Sequence, residues 1–181
     1  MSKTGIATIW LDGCSGCHMS LLDIDEHLLE LAGRIELLAS PLVDRKMKNF
    51  PEVDVALVEG AVSTTADVEN IRIVRARSKI LVSLGDCAVT ANVPAMRNRF
   101  PVEEVLQRGY SENSDNPRAT KPQASTGIPS LCRMARPVHE IVTVDVFLPG
   151  CPPPAAAILH LLTELLAGRV PDLRDKSRFG A

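Results

Sequence analysis

Apolar positions along the chain follow two alternating rhythms, short runs of strand character and longer stretches at helical spacing. Gly5 to Leu11 (GIATIWL) predicts a first strand. Met19 to Ala32 predicts a helix, its Leu21, Leu22, Ile24, Leu28, Leu29 and Leu31 falling on one stripe. Ile35 to Ala39 predicts a second strand, Val53 to Val58 (VDVALV) a third closed by Glu59-Gly60, and Ala66 to Arg77 a helix. Lys79 to Leu84 (KILVSL) is the kind of apolar run that is covered on both faces of a parallel sheet. A helix is expected over 88–98. Ile141 to Leu148 (IVTVDVFL) predicts the last strand and Pro154 to Ala167 the last helix, with proline at its start, where a missing N–H is no loss.

Strands alternating with helices predict an α/β fold, with a mostly parallel sheet and helices on both faces, in one domain over 1–181. The stretch from Arg108 to Arg136, which includes YSENSDNPRATKPQASTG, has no period and many turn residues. It reads as a long irregular loop, either a surface segment or one ordered by a partner subunit.

In a parallel sheet every strand-to-helix turn opens at the carboxyl edge. Cys14 and Cys17 follow the first predicted strand, Cys87 follows KILVSL, and Cys151 follows the last strand within PGCPPP. The topology therefore gathers four cysteines where open α/β sheets bind ligands. The free amides of the adjoining helix starts favour thiolates and anionic groups there.

Several chemistries share the letters DGCSGCH at 12–18: a covalent haem attachment, half of a zinc site, a redox pair, or two ligands of an iron–sulfur cluster. The segment MSKTGIATIWLDG reaches an acidic residue too early for an export signal and has no twin arginine. No apolar run approaches the roughly 20 residues of a membrane span. A cytoplasmic chain with reduced thiols is expected, which counts against haem attachment and against a disulfide framework. A net charge of −2 and 3% aromatic residues offer nucleic acid neither bulk attraction nor stacking surface. Structural zinc sites use two closely spaced pairs. This chain has one pair followed by two single cysteines, a distribution that favours an iron–sulfur cluster and leaves a zinc-stabilised or flavin-binding module as the alternative.

GCSGC after the first strand, VEGAV at 58–62, GDCA at 85–88 and PGCPPP at 149–154, in that order, resemble the small subunit of [NiFe] hydrogenases and its relatives in respiratory NADH dehydrogenase. The resemblance implies a flavodoxin-like domain holding one proximal [4Fe–4S] cluster through Cys14, Cys17, Cys87 and Cys151. It further implies a large subunit carrying the nickel–iron site. The respiratory relatives have adjacent cysteines where this chain has Cys14-Ser15-Gly16-Cys17, so the hydrogenase branch is preferred. Only about 30 residues follow Cys151, too few for a second cluster domain, and that brevity resembles the soluble, cytoplasmic NAD-reducing type. In that type electrons pass to diaphorase subunits with further iron–sulfur clusters and FMN; small subunits of hydrogenases with another acceptor are the neighbouring alternative.

Three further residues need placing. His18 is expected at a helix start, at the cluster or subunit surface. Cys132 lies in the irregular segment and matches no shared motif. Glu59, which the resemblance puts near the cluster, is either a solvated strand-end carboxylate or a candidate for proton transfer or for support of the cluster.

Overall fold

The computed structural model describes residues 3–43, 47–115 and 127–180. Its strands are β1 (Thr4–Trp10), β2 (Ile35–Ala39), β3 (Val53–Glu59), β4 (Val62–Thr64), β5 (Ser78–Leu84), β6 (Leu131–Arg136) and β7 (Val146–Leu148). Five of them form one sheet in the order β2-β1-β3-β5-β7, every pair parallel. This is the flavodoxin-like winding, with its reversal between β1 and β3.

The helices are α1 (Gly16–Leu22), α2 (His27–Ala32), α3 (Thr65–Ala76), α4 (Asp86–Thr90), α5 (Val102–Gln107) and α6 (Ala155–Leu166). Alternate residues of each central strand point to opposite faces. Val55 and Leu57 of β3 meet Ile24, Leu31 of α2, and Ile158 and Leu161 of α6 on one face. Ala56 and Val58 meet Ile71 and Val74 of α3 on the other. Burial on both sides is what the apolar stretches VALV at 55–58 and ILV at 80–82 demand, while Asp54 and Lys79 at the strand starts pair with each other near the surface. Helix α3 starts sharply because the Thr64 hydroxyl accepts the Asp67 N–H while the Asp67 carboxylate accepts the Thr64 N–H.

Four expectations require correction. The helix expected over 19–32 is two helices, broken around Asp25, whose φ of 55° lies in the left-handed region that aspartate tolerates. The helix over 88–98 stops at Thr90, where Ala91 turns into the left-handed region at φ 64°, and a 3-10 turn, Pro94–Arg99, follows with proline at its start. The strand over 141–148 shrinks to Val146–Leu148. Asp145 ends the pairing there: its N–H donates to Leu81 O at 3.0 Å and its carboxylate accepts the Leu81 N–H at 2.7 Å. The segment 108–136 is not irregular throughout, since β6 pairs antiparallel with β4. Arg97 donates to the carbonyls of Ser63 and Cys132, and the Asn98 amide exchanges two 2.8 Å hydrogen bonds with the backbone of Ala135. Residues 116–126 of that segment lie outside the described residues.

Candidate metal centre

Strands β1, β5 and β7 end at one edge, and the turns beyond them carry the four cysteines. Cys14 and Cys151 are exposed, Cys87 is half-buried and Cys17 is buried. The thiols lie within electrostatic reach of one another. Burial pushes the Cys17 thiol well above the ordinary cysteine range, and negative charge at Glu59, Cys87, Cys14 and Cys151 adds to the rise. Burial also raises Cys87, against the opposing pull of a hydrogen bond from the Val93 N–H. The Asn92 amide donates to Cys151 Sγ at 3.7 Å.

Close approach of these turns depends on glycine. Gly85 has φ +83°, and a Cβ there would lie 2.2 Å from Cys17 Sγ, so the CSGC turn packs directly on the bare Cα of the GDC turn. At Gly60, φ +93°, a Cβ would meet the backbone of Leu11 and Asp12 within 2.9 Å. A short antiparallel bridge between Asp12 and Ala61 closes that contact. The VEGAV motif is thus the ledge on which the Cys14 turn rests. Across the site, the Ser20 hydroxyl of α1 donates to the Pro153 carbonyl at 2.5 Å, joining the first cysteine turn to the last.

His18 lies at the helix start, within α1, and of the two readings of Glu59 the solvated strand-end carboxylate is the one the burial excludes. Glu59 is 2% exposed and His18 is 3% exposed, so neither is a solvated or surface group. Glu59 Oε2 accepts the His18 backbone N–H at 2.9 Å, and His18 Nδ1 lies 2.5 Å from the same oxygen. Glu59 therefore holds the residue next to Cys17 by both main chain and side chain. His18 Nε2 is buried with no hydrogen-bond partner among the described residues. A charged residue directly after the apolar run VALV at 55–58 of β3 was the available signal, since a carboxylate in such a position is seldom without a partner. Nothing comparable in the sequence marks His18 or Ser20. Cys132 lies on β6, outside the three turns.

Four soft thiolate donors in adjoining turns suit iron–sulfur chemistry. Among the described residues, no three His, Cys, Asp or Glu side chains converge as the ligands of one metal ion do.

Residues 14–165 match the family described as NADH ubiquinone oxidoreductase, 20 Kd subunit. The chain belongs to this family. Its span includes all four edge cysteines and every strand of the sheet beyond β1. Among family relatives, the delta subunit of the NAD-reducing hydrogenase HoxS of Cupriavidus necator is 40% identical over 94% of this chain and 82% of its own length. A subunit of the F420-non-reducing hydrogenase of Methanothermobacter marburgensis is 34% identical over 92% of this chain, which spans 54% of that relative. The crystal structure of an NAD+-reducing [NiFe]-hydrogenase in the H2-reduced state contains a chain that superposes with a TM-score of 0.93 at 42% identity. That match covers 98% of this chain and 99% of the other. The fold alone extends further, to the Ni-Fe-Se hydrogenase of Desulfomicrobium baculatum, with a TM-score of 0.58 at 20% identity over 98% of this chain and 69% of the other. The preference for the hydrogenase branch agrees with these relatives. No helix among the described residues is long and apolar enough to cross a membrane.

Proposed function

We propose that this chain is the electron-transfer small subunit of a cytoplasmic [NiFe] hydrogenase of the NAD-reducing type. Cys14, Cys17, Cys87 and Cys151 hold one [4Fe–4S] cluster. A large subunit with the nickel–iron site splits H2, and diaphorase subunits with FMN and further iron–sulfur clusters pass the electrons to NAD. What supports this reading is the gathering of four thiols at one sheet edge in a chain 40% identical, over 94% of its length, to a NAD-reducing hydrogenase subunit.

Bound at this edge, the cluster supplies a one-electron couple whose potential follows its hydrogen bonds and its burial. The chain's own groups set both. Val93 and Asn92 donate hydrogen bonds to Cys87 and Cys151, which stabilise the more negatively charged, reduced state. Cys17 sits inside, against Gly85, and keeps water from one side of the site. Cys14 and Cys151 lie on the outer side and present it to a partner. Glu59 fixes the start of α1 through His18 and so acts as a positioning residue for Cys17.

The chain has one Cys-x-x-Cys pair where a recognisable nickel ligand set has two, and its sequence shows no Gly-rich dinucleotide turn. H2-dependent NAD reduction is therefore expected from the complex of this chain with its native partners and not from the chain alone. Depleting this subunit from the complex should abolish the reaction while leaving NADH oxidation by artificial dyes intact. Turnover by the purified chain, or a full rate in its absence, contradicts the assignment.

A further inference from the structure

One buried group at the edge has no part in that scheme. Asp86, the residue before Cys87, is 4% exposed, and among the described residues no cation pairs with it. A buried carboxylate without a counter-charge requires strong hydrogen bonds to offset its desolvation. It has them, and they run between cysteine turns. The Asp86 N–H donates to Gly150 O at 2.8 Å, and the Gly150 N–H donates back to Asp86 Oδ1 at 2.7 Å. Residues directly preceding Cys87 and Cys151 are thus joined by two bonds. The other oxygen, Oδ2, accepts the Gly180 N–H at 2.8 Å.

The far side of the Cys151 turn is held as well. The Ser177 hydroxyl donates to the Pro149 carbonyl. Gly150 has φ +135°, and a Cβ there would lie 2.6 Å from Pro153 Cα and 3.0 Å from Ser177 Oγ, so the chain near 177–180 is packed closely on the turn. A helix-capping role does not account for this geometry. Asp86 opens α4, yet its oxygens go to Gly150 and Gly180 rather than to the helix's own amides.

We infer that Asp86 is a positioning residue whose two carboxylate oxygens fasten the Cys87 turn to the Cys151 turn and to residues 177–180, fixing how far apart two of the four thiolates stand. The inference rests on the cluster reading above and adds a residue to it. Only a carboxylate serves both donors. Asparagine has one acceptor oxygen, and its NH2 would face the second N–H, donor against donor. Asp86→Asn therefore breaks one tie with almost no change of shape. Ser177→Ala removes the outer tie and leaves Asp86 in place.

The test uses the anaerobically purified full chain and its complex, and measures iron and labile sulfide, iron release to a chelator, the cluster midpoint potential and the EPR line shape. Asp86→Asn is expected to lose iron about tenfold faster than the parent. Its midpoint potential and EPR line shape should also be displaced, changes that a fall in fold stability alone does not produce. Ser177→Ala should shift the same readouts in the same direction by less. Asp86→Asn with the parent's release rate, potential and line shape overturns the inference, even if its melting temperature falls. A parent chain without iron overturns the cluster reading and this inference together, whereas an iron-loaded parent with an unaltered variant overturns the inference alone.

Discussion

Gly85→Ala is expected to empty the site. The residue has φ +83° and ψ 161°, a region essentially restricted to glycine, where another residue is strained by about 1–3 kcal/mol. The added methyl would lie 2.2 Å from Cys17 Sγ, far inside any tolerable contact. The backbone of α1 is held, because Glu59 holds His18 and Ser20 ties α1 to Pro153. The Cys17 thiol must swing away, or α1 or the β5–α4 turn must shift, with an overpacking cost of about 1–3 kcal/mol. Each of these takes Cys17 or Cys87 out of register with the other thiols. The variant should melt several degrees lower and retain little iron. Gly109→Ala is the matched control, since a Cβ there meets nothing within 4 Å, and it should match the parent. A Gly85→Ala chain with full iron content would show that the Cys17–Gly85 contact does not shape the site.

Cys17→Ser should be nearly as severe. A serine hydroxyl fills the same space but is not ionised at neutral pH, so the inner wall of the site loses its donor without losing its packing. Iron and sulfide are expected to fall to about a tenth of the parent or less, with similar losses for serine at Cys14, Cys87 and Cys151. Cys132→Ser should keep both, because β6 lies outside the three turns. The direction of the pH effect follows from burial. In the cluster-free chain the Cys17 thiol is pushed up, so it keeps its proton through neutral pH, and loading must release that proton. Reconstitution should therefore improve as the pH rises from about 7 to 9. A yield that falls over this range would contradict the burial of Cys17.

How far the sequence reading carried differs from element to element. Strand β2 over Ile35–Ala39 was legible to the residue as a short apolar run on an edge strand, and α6 to within one residue at each end, because its apolar spacing answers directly to burial. The convergence of the cysteines was legible from topology, since alternating strands and helices leave one edge for every turn. Pairing between β4 and β6 was not: β4 has three residues, and its partner begins beyond a long stretch without periodicity. The break in the first helix turned on a single left-handed Asp25, which the leucine stripe conceals. Asp145 shortened the last strand by a side-chain bond that no alternation pattern announces. The buried polar groups were the least legible. Glu59 and Asp86 each stand beside a glycine at a strand end, where solvent is the usual partner. Only the fold reveals that Glu59 meets the amide and ring of His18 beside Cys17, and that Asp86 meets the amides of Gly150 and Gly180.

Iron and labile-sulfide counts on the anaerobically purified chain, taken with the EPR spectrum of the reduced protein, test whether the four edge cysteines hold one [4Fe–4S] cluster. About four irons and four sulfides per chain are predicted, with an iron–sulfur signal that Cys17→Ser abolishes and Cys132→Ser preserves. Stoichiometric zinc or flavin without iron, or iron lost with Cys132 and kept without Cys17, would contradict that assignment.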